Sequence, residues 1–382
     1  MKHQSVHFLW NEPEITTGFA SAVSLHSHTD RSREGLYDAP RYAKANALVG
    51  LAVARISARY RKLVGQDLDF RNAYFVPPLG PVESYRVEAT QIQAMGLNPI
   101  VSITDHDTIE GPAQLQSLIE PERVPVSLEW TVPFGPSYFH VGVHNLPPQL
   151  AAGIAFELCE IRCSHCLMSR VSCVDNHDAR CFPGVADRLE RLASMPGTLI
   201  VVNHPLWDVR GIGERAHRDL LALFLSRYGE WLDALELNGL RSWEENRDVM
   251  EVSRQNHLAV ISGGDRHGFE PNAVVNLTKA ETFSEFAEEI RADRTSVVVF
   301  LKQYQQPLTL RVLRVAWDIL KSSTAPNGDR KRWTDRIFLP WIDGRVLALS
   351  SQEWSGTLAN KPIKGPQPSE CLACDAAHGS EY

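Results

Sequence analysis

The feature that most constrains this chain is a rhythm: short apolar runs rich in β-branched residues alternate with longer stretches of helical periodicity. The runs are SAVSL (21–25), PIVSIT (99–104), VPVSLE (124–129), YFHVGV (138–143), TLIVVN (198–203), DALELN (233–238), LAVISGG (258–264) and SVVVF (296–300). A strand followed by a helix, repeated, builds a largely parallel sheet, because parallel neighbours need a long crossover that a helix fills. A closed (β/α) barrel and an open doubly wound sheet share this alternation, and periodicity does not separate them. Two segments break the rhythm. Residues 37–90 are an insertion after the first strand, opening with RYAKANALVGLAVARISARYRKLV and passing into the proline- and glycine-punctuated FVPPLGPVESY. Leu48, Leu51, Ala52, Ile56 and Leu63, interleaved with Arg55, Arg59, Arg61 and Lys62, give the pattern of an amphipathic helix, either packed with a solvated basic face or serving as a lid over an anionic substrate. Residues 301–382 are a C-terminal extension whose tail, from roughly residue 360, reads as loosely ordered.

Charge and cysteine usage narrow the function classes. Lys and Arg number 39 against 46 Asp and Glu, a formal net charge of −7, which argues against a surface built to neutralise a nucleic acid polymer. Nothing near the start resembles a secretory leader, and no apolar run reaches the roughly 20 residues needed to cross a bilayer, so the reading is a cytoplasmic protein. Five of the seven cysteines (Cys159, Cys163, Cys166, Cys173, Cys181) crowd one segment, unlike the spread framework of a disulfide-stapled domain. Cys163 and Cys166 have the spacing of a zinc-binding pair, with Cys371 and Cys374 as a distant second pair. Cys159, Cys163 and Cys166 equally fit a buried helical stripe.

The chemistry shows where ligand-type residues fall relative to the strands. His26, His28, His106, His140, His204 and His267 lie within or just beyond predicted strands, as do Glu129 and Asp265. In a parallel barrel the carboxyl ends of all strands share one face, so such residues converge there. His26 and His28, two apart in SLHSHTD, fall on one side of an extended chain, and Asp265 and His267 repeat that spacing in SGGDRHG, where Gly263 and Gly264 permit a tight turn. His144 reads as a satisfied structural histidine. Imidazole and carboxylate without thiolate suit Zn, Mn or Fe as divalent ions.

The order of these motifs, from about residue 21 to residue 300, resembles the polymerase and histidinol phosphatase (PHP) domain family of metal-dependent phosphoesterases. The matching residues are His26, His28, Thr29, Ser32, Glu34 and Gly35; Thr104, Asp105 and His106; Glu129; His140; His204 with Pro205; and Asp265 with His267. The resemblance implies an α/β fold, a distorted seven-stranded (β/α) barrel of the TIM-like kind over residues 1–300, carrying the helical insertion and the C-terminal extension. It implies two or three divalent transition-metal ions: the first on His26, His28, Glu129 and Asp265; the second on Glu129, His140 and His204; the third on Glu34, His106 and His267. Glu34 departs from the family, which has Asp or His there. The implied activity is hydrolysis of a small phosphorylated substrate, a phosphomonoester, by a metal-activated water. Asp105 is expected to orient His106 or a neighbouring ligand, with Asp107 as a further candidate, and Arg31, Arg33 and Arg266 to meet the phosphate. An amidohydrolase-type barrel also begins with HxH and ends on a strand-end Asp, but it uses a bridging lysine, which no predicted strand end supplies before residue 280. A degenerate barrel acting as a binding module is the third alternative.

Overall fold

The computed structural model describes residues 5–37, 39–45, 47–159, 184–321, 323–324, 330–341 and 343–354. The chain divides into two compact units, one of residues 1–34 and 76–332, the other of residues 35–75 and 333–382.

In the larger unit, Ser21–Leu25 lies between Asn98–Ser102, parallel to it, and Val274–Thr278, antiparallel to it; Val297–Phe300 and Ser5–Phe8 complete a five-stranded sheet. A second five-stranded sheet runs in the order Ala259–Gly263, Ala234–Asn238, Leu199–Val202, Ser137–His144 and Leu128–Phe134. Its first three strands are parallel and its last two antiparallel. The expectation of a largely parallel sheet is therefore corrected. Only Gly135 and Pro136, with Gly135 at φ +56°, separate Phe134 from Ser137, and so short a link joins antiparallel strands. Among the described residues the ladders do not close into a barrel. The two sheets touch through isolated parallel bridges, Ser27 with Arg266 and His106 with Glu129.

Strands 21–25 and 234–238 are buried along their whole length, as in sheets covered on both faces. Val23, Leu25, Ile100, Val201 and Ile261 pack with Phe283, Phe286 and Ile290 of the helix Phe283–Asp293. That helix starts where Thr282 and Glu285 form a reciprocal capping box. Val274–Thr278 escapes the sequence pattern because Asn276 interrupts its apolar run; the amide is satisfied by Ser262 of the other sheet, accepting from its N (3.2 Å) and donating to its Oγ (2.7 Å).

The smaller unit holds the helices Ala39–Ala45 and Ala47–Val64 and the strands Tyr74–Phe75, Ile337–Pro340 and Val346–Ala348. Tyr60, Leu68, Ala73, Ile337, Leu339, Trp341, Leu349 and Trp354 form its core. Insertion and extension thus share one core, and Ile337 pairs with Phe75, so the chain does not divide at residue 300 as the sequence suggested. Arg55, Arg59, Arg61 and Lys62 are exposed, the solvated face of an amphipathic helix. Cys163, Cys166, Cys173, Cys181, Cys371, Cys374 and the tail from residue 360 lie outside the described residues. Among those described, no helix is long and apolar enough to cross a membrane.

Candidate metal centre

Three of the ligand-type residues follow a strand by adopting a backbone that L-residues avoid. His26 (φ +63°), His204 (φ +29°) and Asp265 (φ +50°) are left-handed, each costing of order 1 kcal/mol. His26 and Asp265 immediately follow their strands or lie two residues beyond them, so the chain turns there instead of continuing extended. This turn, and not the alternation of an extended chain, brings His26 and His28 within 5.1 Å, centroid to centroid. The glycines before Asp265 also act differently from expectation. Neither has a positive φ; what they supply is space, since a Cβ on Gly263 would overlap the Glu236 carboxylate and one on Gly264 the Asn272 side chain.

Glu129 is the hub. Its Oε1 lies 3.1 Å from His26 Nε2 and 3.4 Å from both His140 Nδ1 and His204 Nε2; its Oε2 lies 3.4 Å from His28 Nε2 and 3.2 Å from His106 Nε2. Asp265 Oδ1 is 3.6 Å from His26 Nε2 and 3.5 Å from His28 Nε2. Glu34, despite its departure from the family pattern, reaches the cluster: its Oε2 is 3.0 Å from His267 Nε2 and 3.2 Å from His106 Nε2, and its Oε1 is 3.3 Å from His28 Nδ1. Four groups have ligand atoms mutually within 4.8 Å: His26, His28 and Asp265; His26, Glu129 and His204; His28, Glu34 and His106; His106, Glu129 and His140. His267 joins through Glu34. All nine residues expected from the sequence therefore meet in one place within the larger unit.

The donor set fits divalent cations. Three carboxylates and six imidazoles are gathered in a site where Glu129 and His28 have no solvent exposure, an arrangement that is costly without compensating charge. His26 Nε2, His28 Nε2, Glu34 Oε1 and Glu129 Oε2 are buried and make no hydrogen bond. Protons supply the balance in the bare chain. Against the opposing effect of burial, Glu129 and Glu236 hold His26 well above the usual imidazole range, and Glu34 and Glu129 hold His106 up at about 10. Burial, outweighing Glu34, pushes His28 down to about 4, leaving a neutral imidazole. Burial opposes ionisation of Glu129, Glu34 and Asp265, yet the surrounding imidazoles keep all three carboxyls well below their ordinary range. Cations entering such a site displace protons.

The surrounding shell contains residues that sequence reasoning missed. His26 Nδ1–H donates to Glu236 Oε1 (2.6 Å), which turns Nε2 toward the cluster, and Glu236 Oε2 accepts from His204 N (2.5 Å) and Asn238 Nδ2 (3.2 Å). Asn203 Nδ2 donates to Glu129 Oε1 (2.9 Å). The signal for Glu236 was available, a carboxylate in the middle of the apolar strand DALELN. His144 is buried with Nδ1 2.8 Å from Ser102 Oγ and its ring stacked on Phe283, in keeping with a structural role.

Asp105, expected to orient a ligand, and Arg266 and Arg31, expected to meet the phosphate, are placed differently from those expectations. Asp105 accepts from Thr29 N (2.6 Å) and Thr29 Oγ1 (2.8 Å), not from an imidazole, and burial pushes its carboxyl up to about 7. It ties two loops together, while Asp107 accepts from Thr131 N at 2.9 Å. Arg266 points into the core, where its Nε lies 2.8 Å from Glu88 Oε1 and its Nη1 donates to Gly268 O (2.8 Å). Arg266 turns inward between Asp265 and His267 because the buried Glu88 carboxylate pairs with its guanidinium. Arg31 is 46% exposed and paired with Asp30 at 3.6 Å, and Arg33 is exposed. Cys159 Sγ donates to Asp107 O (3.1 Å).

No protein-family model matches the chain, and no curated protein matches it. Among solved structures it is similar to a protein of Bifidobacterium adolescentis described as a metal-dependent phosphoesterase (TM-score 0.33, 18% identity, 57% of this chain and 92% of that one). PsfC from Pseudomonas syringae gives a TM-score of 0.38 at 14% identity over 78% of this chain and 97% of that one. An amidohydrolase from Chromobacterium violaceum, solved with sulfate and no metal, gives 0.33 at 17% identity over 51% and 86%. Scores of this size leave the reading of the site to its own geometry.

Proposed function

We propose that this protein is a metal-dependent hydrolase of small phosphomonoesters, of the PHP type. The observation that carries the reading is the convergence of His26, His28, Glu34, His106, Glu129, His140, His204, Asp265 and His267 around shared points, with buried ligand atoms that make no hydrogen bond. Divalent zinc, manganese or iron held by these residues would supply Lewis acidity toward a phosphoryl oxygen and a water acidified toward neutral pH. The chain's own residues set the frame for that chemistry. Glu129, central to two of the ligand groups, supports a shared carboxylate bridge between two ions, and Glu34 with His106 and His267 supports a third position. Glu236 fixes the tautomer of His26 and, through the His204 backbone, the entry of the strand-end loop. No serine or cysteine nucleophile is required. The fold reading that accompanies this is a distorted ring of seven strands: the Ser27–Arg266 and His106–Glu129 bridges support it by joining the end of Ser21–Leu25 to that of Ala259–Gly263 and the segment after Asn98–Ser102 to Leu128–Phe134, reinforced by Gly264 N donating to Leu25 O (3.1 Å) and Asp107 N donating to Glu129 O (2.9 Å). A carboxylate at the hub, where an amidohydrolase-type site has lysine, favours phosphoester over amide hydrolysis.

The test combines elemental analysis of purified protein with a panel of phosphomonoesters. At least two metal ions per chain are expected, with hydrolysis that is lost on chelation, restored on metal addition and abolished in His204→Ala. Fewer than one metal per chain after reconstitution, or unchanged turnover in His204→Ala, overturns the reading.

A further inference from the structure

Of the three arginines that the sequence offered for an anion, Arg266 turns into the core, Arg31 pairs with Asp30 and Arg33 is exposed. A different guanidinium borders the cluster. Arg241 follows the strand Ala234–Asn238 through a short turn whose backbone is held from several sides. Arg241 N donates to Asn238 O (3.2 Å), and Asn246 brackets Asn238, accepting from its N (2.8 Å) and donating to its O (3.0 Å). Tyr304 Oη and Arg311 Nη2 both donate to Arg241 O (3.0 and 3.2 Å), while Arg311 Nη1 donates to Gly239 O.

The side chain is equally constrained and yet unsatisfied. Its guanidinium carbon lies 4.1 Å from the centre of the Trp207 ring, and Trp207 in turn meets His204 edge to face at 4.9 Å. The side chain is only 15% exposed. Nη2 stands 3.8 Å from Asp265 Oδ2 and Nε 3.8 Å from Glu245 Oε1, both beyond hydrogen-bond length, and the buried Nε has no hydrogen-bond partner. The other carboxylate oxygen of Asp265, Oδ1, faces His26, His28 and His267 at 3.5–3.6 Å. A mostly buried, aromatic-stacked guanidinium whose buried Nε lacks an acceptor, standing beside a ligand carboxylate, is placed to take an acceptor from outside the chain.

We propose that Arg241 is the anion-binding residue of this site, its planar fork donating to oxygens of the substrate's phosphate at the edge of the cluster marked by Asp265. The assignment of the anion as phosphate rests on the phosphomonoester reading above. The stack on Trp207 holds the fork flat and pre-oriented, so little conformational freedom is lost when a tetrahedral oxyanion takes two of its N–H groups. None of the sequence signals pointed here, because Arg241 lies outside every motif.

Arg241→Gln and Arg241→Lys are compared with the wild-type protein, each metal-reconstituted, in three measurements: metal content, calorimetric binding of inorganic phosphate, and phosphomonoester kinetics resolved into kcat and KM. Metal content is expected to stay at the wild-type value. Phosphate affinity is expected to fall by about 10- to 100-fold in Arg241→Gln, the size of a lost charge-assisted hydrogen-bonded pair, with a smaller loss in Arg241→Lys, which keeps the charge but not the fork. Trp207→Leu is expected to weaken phosphate binding by about 2- to 5-fold by removing the stack alone. Phosphate affinity in Arg241→Gln within about twofold of wild type at full metal content overturns the proposal. So does loss of metal in that variant in proportion to the loss of phosphate binding, which makes Arg241 a support for Asp265. The two readings separate cleanly. Arg241-dependent phosphate binding in a protein that hydrolyses no phosphomonoester supports this assignment and refutes the activity; active wild type with an unaffected Arg241→Gln does the reverse.

Discussion

Replacing Glu88 by Gln removes one charge from the interior and nothing from the cluster itself, and it is expected to damage both. Glu88 has no solvent exposure and Arg266 only 4%. Glu88 Oε1 lies 2.8 Å from Arg266 Nε, its Oε2 accepts from Ser24 Oγ (2.9 Å), and both oxygens accept from Asn272 N (3.2 and 3.1 Å). Arg266 completes its bonds on Gly268 O and Ser84 Oγ. Burial pushes the Glu88 carboxyl above its usual range against the pull of Arg266, and burial likewise lowers the Arg266 pKa against the pull of Glu88, so each ion is held in place by the other. Breaking such a pair leaves a buried guanidinium uncompensated, a loss of about 3–5 kcal/mol, a large share of the roughly 5–15 kcal/mol that holds a domain folded. Arg266 stands between Asp265 and His267, so the same variant is expected to hold metal less well. Urea unfolding of the metal-free and metal-loaded forms measures the first effect, and metal content after gel filtration the second. The double variant Glu88→Leu/Arg266→Met, with both charges gone, is expected to recover most of the stability lost by the single variant. A Glu88→Gln loss below about 1 kcal/mol, or a double variant no more stable than the single one, refutes the reasoning.

Glu34→Asp shortens a carboxylate that reaches His28, His106 and His267 from the short strand Glu34–Gly35, so one metal is expected to leave under mild chelation while the others stay; simultaneous loss of all metal argues against a separate third position. Gly263→Ala puts a methyl group into the Glu236 carboxylate that orients His26 and His204, and the expected result is reduced metal stoichiometry with retained secondary structure by circular dichroism; full stoichiometry would show that Glu236 can move without consequence. Burial lowers the His144 pKa to about 3 from an ordinary value near 6.5, so the folded state binds fewer protons than the unfolded chain between those values and stability falls as pH drops through that window. One such proton gives a slope of up to about 1.4 kcal/mol per pH unit, and His144→Met should flatten the stability profile from pH 6 to 4 by that amount; identical slopes in both proteins exclude the contribution.

The ligand chemistry was legible in the sequence because residue type and position relative to a strand are local properties. His26, His28, His204, Asp265 and His267 could be picked out as residues just beyond strands without knowing which strands are neighbours, since any arrangement that gathers strand ends on one face brings them together; Glu129 and His140 sit inside the strands Leu128–Phe134 and Ser137–His144, and only the pairing of those strands places them at the cluster. What the sequence left open depends on partners far along the chain. The direction of the Ser137–His144 strand follows from a two-residue link whose consequence appears only once Leu128–Phe134 pairs with it. Arg266 and Arg241 are both arginines beside chemistry, and nothing in the sequence around them tells which is turned inward. Glu88, 178 residues before Arg266, claims the first, while Trp207 and the Tyr304–Arg311 brace hold the second at the cluster. Charged side chains declare their chemistry by type, but their direction is set by whichever buried partner satisfies them, and that partner exists only in the folded chain.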